Sequence, residues 1–272
     1  MTIEVLADGL GFTEGPTLMP DGRIAVTSIS HGCIYLVDPE GGAPERISTG
    51  GSANGSAVGP DGTLFVAQNG GIFGGSGPAE PGVQIIRDGR VEYLATGMDA
   101  PNDLVIGPDG ALWVTDTRAQ IDFADPDPAH AGRVWTVDIA SGATELVLDG
   151  GPIFINGVGF SPDGSTLMVT STYGAQLWGY PVGPEGSLGA GGVLFTFENG
   201  WPDGMAVRPD GASWVALTGG HRCDLVSASG ALLDSVHVGD GALPTNVCLG
   251  FETGELFVTA AHHETLLRVS AG

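Results

Sequence analysis

The chain has 272 residues, with 32 acidic side chains against 9 arginines and no lysine, giving a net charge of −23. A field of that sign repels nucleic-acid phosphate and anionic membranes, and without lysine neither Schiff-base chemistry nor a Walker-type phosphate loop can be built. Its apolar runs, about five to seven residues long, are too short to cross a bilayer as helices, and the N-terminal MTIEVLADGL has no leader-like regions, so a cytoplasmic location is expected.

A short strand around Ile3–Leu6 comes first. PTLM, RIAVTS, CIYLVD and ERIS follow, separated by PDG, a polar loop and PEGG; β-branched and aromatic residues fill the strands, and Asp-Gly and Pro-Asp pairs punctuate them. The same order then recurs. NGSAVGPDG begins at Asn54, NDLVIGPDG at Asn102, NGVGFSPDG at Asn156, DGMAVRPDG at Asp203, and a degenerate NVCLGFETG at Asn246. In each full copy a side chain bearing oxygen stands seven residues ahead of the turn aspartate, as Glu14 does ahead of Asp21. These anchors are spaced 40, 48, 54, 47 and 43 residues apart. A period of roughly 40–50 residues suits a four-stranded blade, so the expected fold is all-β: one domain over residues 1–272, a six-bladed propeller of four antiparallel strands per blade. The N-terminal strand is expected to join the last blade and close the ring.

The phase of the repeat points to function. If the strand after each anchor lines the central channel, Glu14, Asn54, Asn102, Asn156, Asp203 and Asn246 converge at one mouth, with the PDG turns on the opposite face. Asn, Asp and Glu at one such place could simply cap turn amides. Six copies around one axis instead make an oxygen-rich pocket for a hard divalent cation, Ca²⁺ above all, with Mn²⁺, Mg²⁺ or Zn²⁺ as alternatives. The two longest loops between second and third strands, Asn69–Gly82 and Thr117–Gly132, are expected to overhang that mouth. Cys33, Cys223 and Cys248 are scattered and odd in number, and read as free thiols.

Taken together, FTEGPTLMPDGRI, APNDLVIGPDGALWVTD, INGVGFSPDGSTLMV, WPDGMAVRPDGASWVA and PTNVCLG resemble the SMP-30/gluconolactonase/LRE-like propellers over essentially the whole chain. The resemblance implies one divalent metal held by Glu14, Asn102, Asn156 and Asp203, with Asn54 and Asn246 as channel or substrate contacts. It also implies hydrolysis of a lactone, with the metal as Lewis acid and Asp203 as general base, a nucleophilic Asp203 being the variant. Some sugar-lactone members carry an arginine two residues before the third anchor; here that residue is Ala100. Asp103 or Asp116 could supply polar contacts instead, and Phe73, Phe154, Tyr173 and Trp201 could give the rim an apolar character, each with blade packing as its competing role.

His221 falls on the anchor side and could touch substrate; His31, His130, His262 and His263 occupy similar loops, His237 reads as a strand surface residue, and none is assigned to catalysis. The acidic stretch from Asp122 to Pro128 reads as a solvated lid that could also hold a second cation. An organophosphate or aryl-ester hydrolase and a non-enzymatic ligand-binding propeller are the competing functions. The partner expected throughout is a small molecule, and the oligomeric state stays open.

Overall fold

The computed structural model describes residues 1–118 and 127–270. Its strands form six four-stranded antiparallel sheets, each with its strands in simple meander order. Blade one runs Thr13–Leu18, Ile24–Ser28, Cys33–Val37 and Glu45–Ser48. Blade two runs Ala53–Val58, Leu64–Gln68, Gly82–Arg87 and Arg90–Thr96, and blade three runs Pro101–Ile106, Leu112–Asp116, Ala131–Val137 and Thr144–Ile153. Blade four runs Ile155–Phe160, Thr166–Ser171, Gln176–Pro181 and Gly192–Thr196, and blade five runs Trp201–Val207, Ser213–Thr218, Arg222–Val226 and Leu232–His237. Blade six takes Pro244–Leu249, Leu256–Ala260 and Thr265–Ser270 from the C-terminus. Its outermost strand is Thr2–Ala7, which pairs Ile3 with Val269 and Val5 with Leu267. The expected closure is therefore the observed one. It covers an edge that would otherwise offer unpaired backbone groups to another chain. The helical content among the described residues is confined to three short 3₁₀ turns, and none is long or apolar enough to cross a membrane.

The first strands pack side by side in a closed ring around the axis, each against those of both neighbouring blades. Second strands lie between neighbouring blades and are covered on both faces, so those of blades one, two, three and six bury every residue. That explains their near-continuous apolar runs, such as LFVAQ and LFVTA. Core clusters sit between blades; Trp113 of blade three meets Phe160 of blade four edge to face at 5.2 Å. Outermost strands such as Glu45–Ser48 are largely exposed. All three cysteines are free.

The PDG turns gather at the end of the ring remote from the anchors. Each turn aspartate caps its own turn, accepting the backbone N–H two residues on: Arg23 for Asp21, Thr63 for Asp61, Ala111 for Asp109, Ser165 for Asp163 and Ala212 for Asp210, all at 3.0–3.1 Å. The glycine that follows adopts φ between 71° and 92° in all five, a left-handed conformation that disfavours any side chain.

Candidate functional site

In one respect the strands differ from expectation. Each anchor lies inside its first strand rather than just ahead of it, and a register irregularity falls at or beside the anchor in every blade. A bulge turns the strand locally and re-aims its side chains, which allows a polar residue to leave the ladder and face the axis. All six anchors are buried. The residue after the anchor is Gly15, Gly55, Gly157 or Gly204 in four blades, and the close approach of neighbouring strands requires it. A Cβ on Gly157 would lie 2.6 Å from the Asp203 carbonyl oxygen, and one on Gly204 would overlap the Asn246 amide.

Threonines of the second strands hold the anchors from the neighbouring blade. Thr115 Oγ1 donates to the Asn156 carbonyl at 2.6 Å, and Thr170 Oγ1 to the Asp203 carbonyl at 2.7 Å. Asn156 Nδ2 donates to Thr172 Oγ1 at 3.1 Å, which commits its nitrogen to the blade and leaves its oxygen to face elsewhere.

The electrostatics are one-sided. Burial pushes Glu14 well above the usual carboxylate range, and repulsion from Asp203 and Asp103 adds to it. Asp203 is raised by burial and then by Asp103. Burial lifts Asp103 to about 7. No arginine or histidine ion-pairs with any of the three among the described residues. Asp203 Oδ1 and Asn54 Oδ1 are buried without a hydrogen-bond partner. Buried, mutually repelling carboxylates with orphaned oxygens fit a divalent cation, which would supply the missing positive charge. The donors are all oxygen, two carboxylates and amides, and the described residues contain no group of three or more His, Cys, Asp or Glu arranged to bind a metal.

The other sequence candidates separate. Asn246 lies within the ring, its Nδ2 3.5 Å from Asp103 Oδ2 and its Oδ1 accepting the Val247 N–H. Asp103 faces a cavity of about 310 Å³ with Thr17, Ser56, Val158, Met205 and Asn246, on the side of the anchors toward the PDG turns. That is away from the Asn69–Gly82 loop, so it stands below the anchors rather than at the rim. Asp116 is committed to its own blade: its oxygens accept the Ala100, Asp99 and Arg118 N–H groups and the Trp135 indole. The blade-two loop does cross over to blade four, where Phe73 meets Phe154 edge to face at 6.0 Å. Tyr173 and Trp201 are exposed, and Phe154 is buried. His221 Nδ1 is buried without a partner, whereas His31 Nδ1 meets the Tyr35 hydroxyl at 2.9 Å and His237 lies near Asp240 at the surface. Most of the acidic stretch from Asp122 to Pro128, with its lid and second-cation readings, lies outside the described residues.

Sequence reading missed the threonine struts and Asn69. The shared place of Asn69, Thr117 and Thr172 is marked by the ends of LFVAQN, LWVTDT and LMVTST, whereas nothing local marks the interblade bonds of Thr115 and Thr170.

Residues 12–262 match the family model described as SMP-30/gluconolactonase/LRE-like region. The chain belongs to this family. A gluconolactonase of Zymomonas mobilis is 25% identical over 98% of this chain and 81% of its own length. The solved gluconolactonase of Xanthomonas campestris superposes with a TM-score of 0.80 at 22% identity, over 98% of this chain and 88% of that one. A calcium-binding regucalcin of Agrobacterium tumefaciens gives 0.77 at 20% identity, over 97% and 92%. The family's propeller is thus the architecture built here.

Proposed function

We propose that this protein is a divalent-metal-dependent lactone hydrolase. The observation that carries the reading is the cluster of buried carboxylates at the channel mouth, raised in pKa and unpaired, with Asp203 Oδ1 unsatisfied. The family and the gluconolactonase relatives support the lactone class.

Glu14, Asn102, Asn156 and Asp203 would hold the ion, most readily Ca²⁺, consistent with the calcium-binding description of the regucalcin neighbour. Once bound, a divalent cation supplies Lewis acidity toward the substrate carbonyl. The chain's own groups do the rest. Asp203 takes a proton from the attacking water as it adds to the carbonyl carbon; the ring C–O bond then breaks, and the ring oxygen leaves as a hydroxyl, giving the hydroxy acid. Burial and the neighbouring Asp103 raise Asp203 above the usual carboxylate range, and a raised pKa makes a carboxylate the stronger base. Thr170, bonded to the Asp203 carbonyl, and Thr172, bonded to Asn156, keep these two side chains in place. The aromatic contact of Phe73 with Phe154 favours substrates with an apolar portion, which keeps aryl esters in view as a second class.

The test is a pH-indicator screen of lactones, aryl esters and phosphotriesters, with calcium supplied. Lactone opening that is abolished by chelation and restored by Ca²⁺ or Mn²⁺ supports the assignment. Lactone opening indifferent to chelation, or an unchanged rate in Asp203→Asn with metal still bound, would overturn the metal role and the base role respectively.

A further inference from the structure

Below the anchors, the first strands enclose the cavity of about 310 Å³ on the PDG side of the ring. Its inner end is polar, with Thr17, Ser56, Asp103 and Asn246 all buried there. Toward the turns its wall becomes aliphatic and less buried, through Val58, Ile106 and Leu249. Each of those three is the last residue of its strand. The cavity therefore opens on the face opposite the candidate cation site.

Among the described residues, Asp103 is the only carboxylate lining this cavity, and no arginine or histidine lines it. Asp103 stands where alternate blades converge on the axis. A Cβ on Gly55 of blade two would run into its Oδ1, the Val158 N–H of blade four steadies its charge, and Asn246 Nδ2 of blade six lies 3.5 Å from its Oδ2. Oδ1 accepts the Leu104 N–H at 2.9 Å, which leaves Oδ2 with that one long side-chain contact. Beside it, Thr17 Oγ1 and Ser56 Oγ meet at 2.8 Å and donate to the Ser56 and Gly15 carbonyls, also at 2.8 Å. Their protons are used within the protein, so what they offer a ligand is lone pairs. A buried carboxylate among acceptors calls for a cation that donates hydrogen bonds. A divalent metal ion takes about six to eight oxygen ligands, which one carboxylate and two hydroxyls do not supply. An ammonium head has three donors, and a hydrocarbon stem suits the aliphatic wall below it.

We propose that this cavity is a second ligand site, for a small primary alkylammonium ion, and that its occupant opposes cation binding at the anchors. The head pairs with Asp103 Oδ2 and takes lone pairs from Thr17 and Ser56, while the stem runs along Val58, Ile106 and Leu249 toward the PDG face. Opposition follows because Asp103 is shared: its charge acts on Glu14 and on Asp203 from below. An ammonium that neutralises Asp103 removes a negative charge that would attract a cation above it. Linkage makes the effect mutual. The opposition rests on the cation reading of the anchors, whereas the cavity site stands without it.

The experiment titrates n-pentylammonium and 1-pentanol, equal in length and different in charge, into the full chain by calorimetry in chelator. At about pH 8 the amine and Asp103 are both charged, and about 0.15 M salt screens the field of the whole protein. The amine should bind about tenfold tighter than the alcohol or better, the gain from hydrogen bonds to a charged group. Asp103→Asn should cut that advantage to about twofold or less, with melting temperature as the control for folding. In methyl-labelled wild type, the alkyl protons should show NOEs to Leu18, Val58 and Leu249. Equal affinity for the two probes, an advantage that survives in Asp103→Asn, or NOEs to Phe73 and Phe154 at the mouth overturns the site. Saturating n-pentylammonium should also weaken calcium binding by about fivefold or more. Calcium affinity unchanged by bound amine overturns the opposition and leaves the site. Calcium that does not bind at all overturns the cation reading, while the amine titrations still decide the cavity.

Discussion

Asp103→Asn tests the electrostatics of the channel most directly. Asp103 is buried, accepts the Leu104 N–H, faces Asn246, and is lifted by burial from its ordinary 3.8 to about 7. Its folded pKa lies above its unfolded one, so its favourable contribution is complete below about pH 4. It is lost as pH rises through about 7, because folding then requires an unpaired buried anion. A shift of about 3 units corresponds to about 4 kcal/mol between those limits, as an order of magnitude. For 272 residues, an unfolding entropy of roughly 2 cal/mol/K per residue turns that into about 7 °C of melting temperature. Thermal melts of wild type and Asp103→Asn in chelator, from pH 4 to pH 8, should therefore diverge by about that amount, with the wild type losing ground as pH rises. Any shape or hydrogen-bond cost of the asparagine is independent of pH and shifts the variant's curve without tilting it. Saturating calcium should shrink the divergence, since the cation's charge offsets the anion. Parallel curves in chelator would refute the argument, because a carboxylate that stays solvated titrates alike in both states.

Three other outcomes follow from the geometry. Gly204→Ala forces a methyl group into the Asn246 amide and should cost about 1–3 kcal/mol in a denaturant melt. Thr170→Val removes the strut on the Asp203 carbonyl; the expected loss is about 1 kcal/mol of stability, together with a fall in kcat larger than any change in KM. Deleting residues 1–8 strips the outer strand from blade six, so the truncated chain should melt lower and self-associate through the exposed Thr265–Ser270 edge in size-exclusion chromatography.

Blade count, strand order and closure were legible because a blade is a local unit: its strands pair with sequence neighbours, and PDG punctuates each first hairpin. The ring of anchors was legible for the same reason, since a shared offset from the turn aspartate implies a shared place in space. Contacts between blades were not. The Oγ1 of Thr115 reaches Asn156 from 41 residues away, and that of Thr170 reaches Asp203 from 33, with no local pattern announcing either bond. Asp103 adjoins an anchor and so could supply a polar substrate contact from sequence alone, whereas in the fold it faces the cavity on the PDG side of the anchors. Asp116 looked available because it is acidic and on the anchor side, yet the backbone of its own blade consumes it.

Each full repeat carries its acid or amide twice, seven residues apart, and the two copies do opposite work. The turn aspartates sit in water and accept their own backbone N–H groups. Hydrogen bonds to Arg23 hold Asp21 low, those to Thr63 hold Asp61 low, and Asp163 is drawn down to about 2 by Ser161 and Ser165. Such acids strengthen the fold at neutral pH and weaken it only in strong acid. Glu14, Asp103 and Asp203 are raised instead, and destabilise the empty protein at the pH where the turn acids help most. A propeller can sustain that conflict because its blades are pinned elsewhere, by interblade cores and by the N-terminal strand that closes the ring. The strain is therefore confined to the channel mouth, where a bound cation would relieve it. The same −23 net charge that repels polyanions would raise the local concentration of the proposed cation.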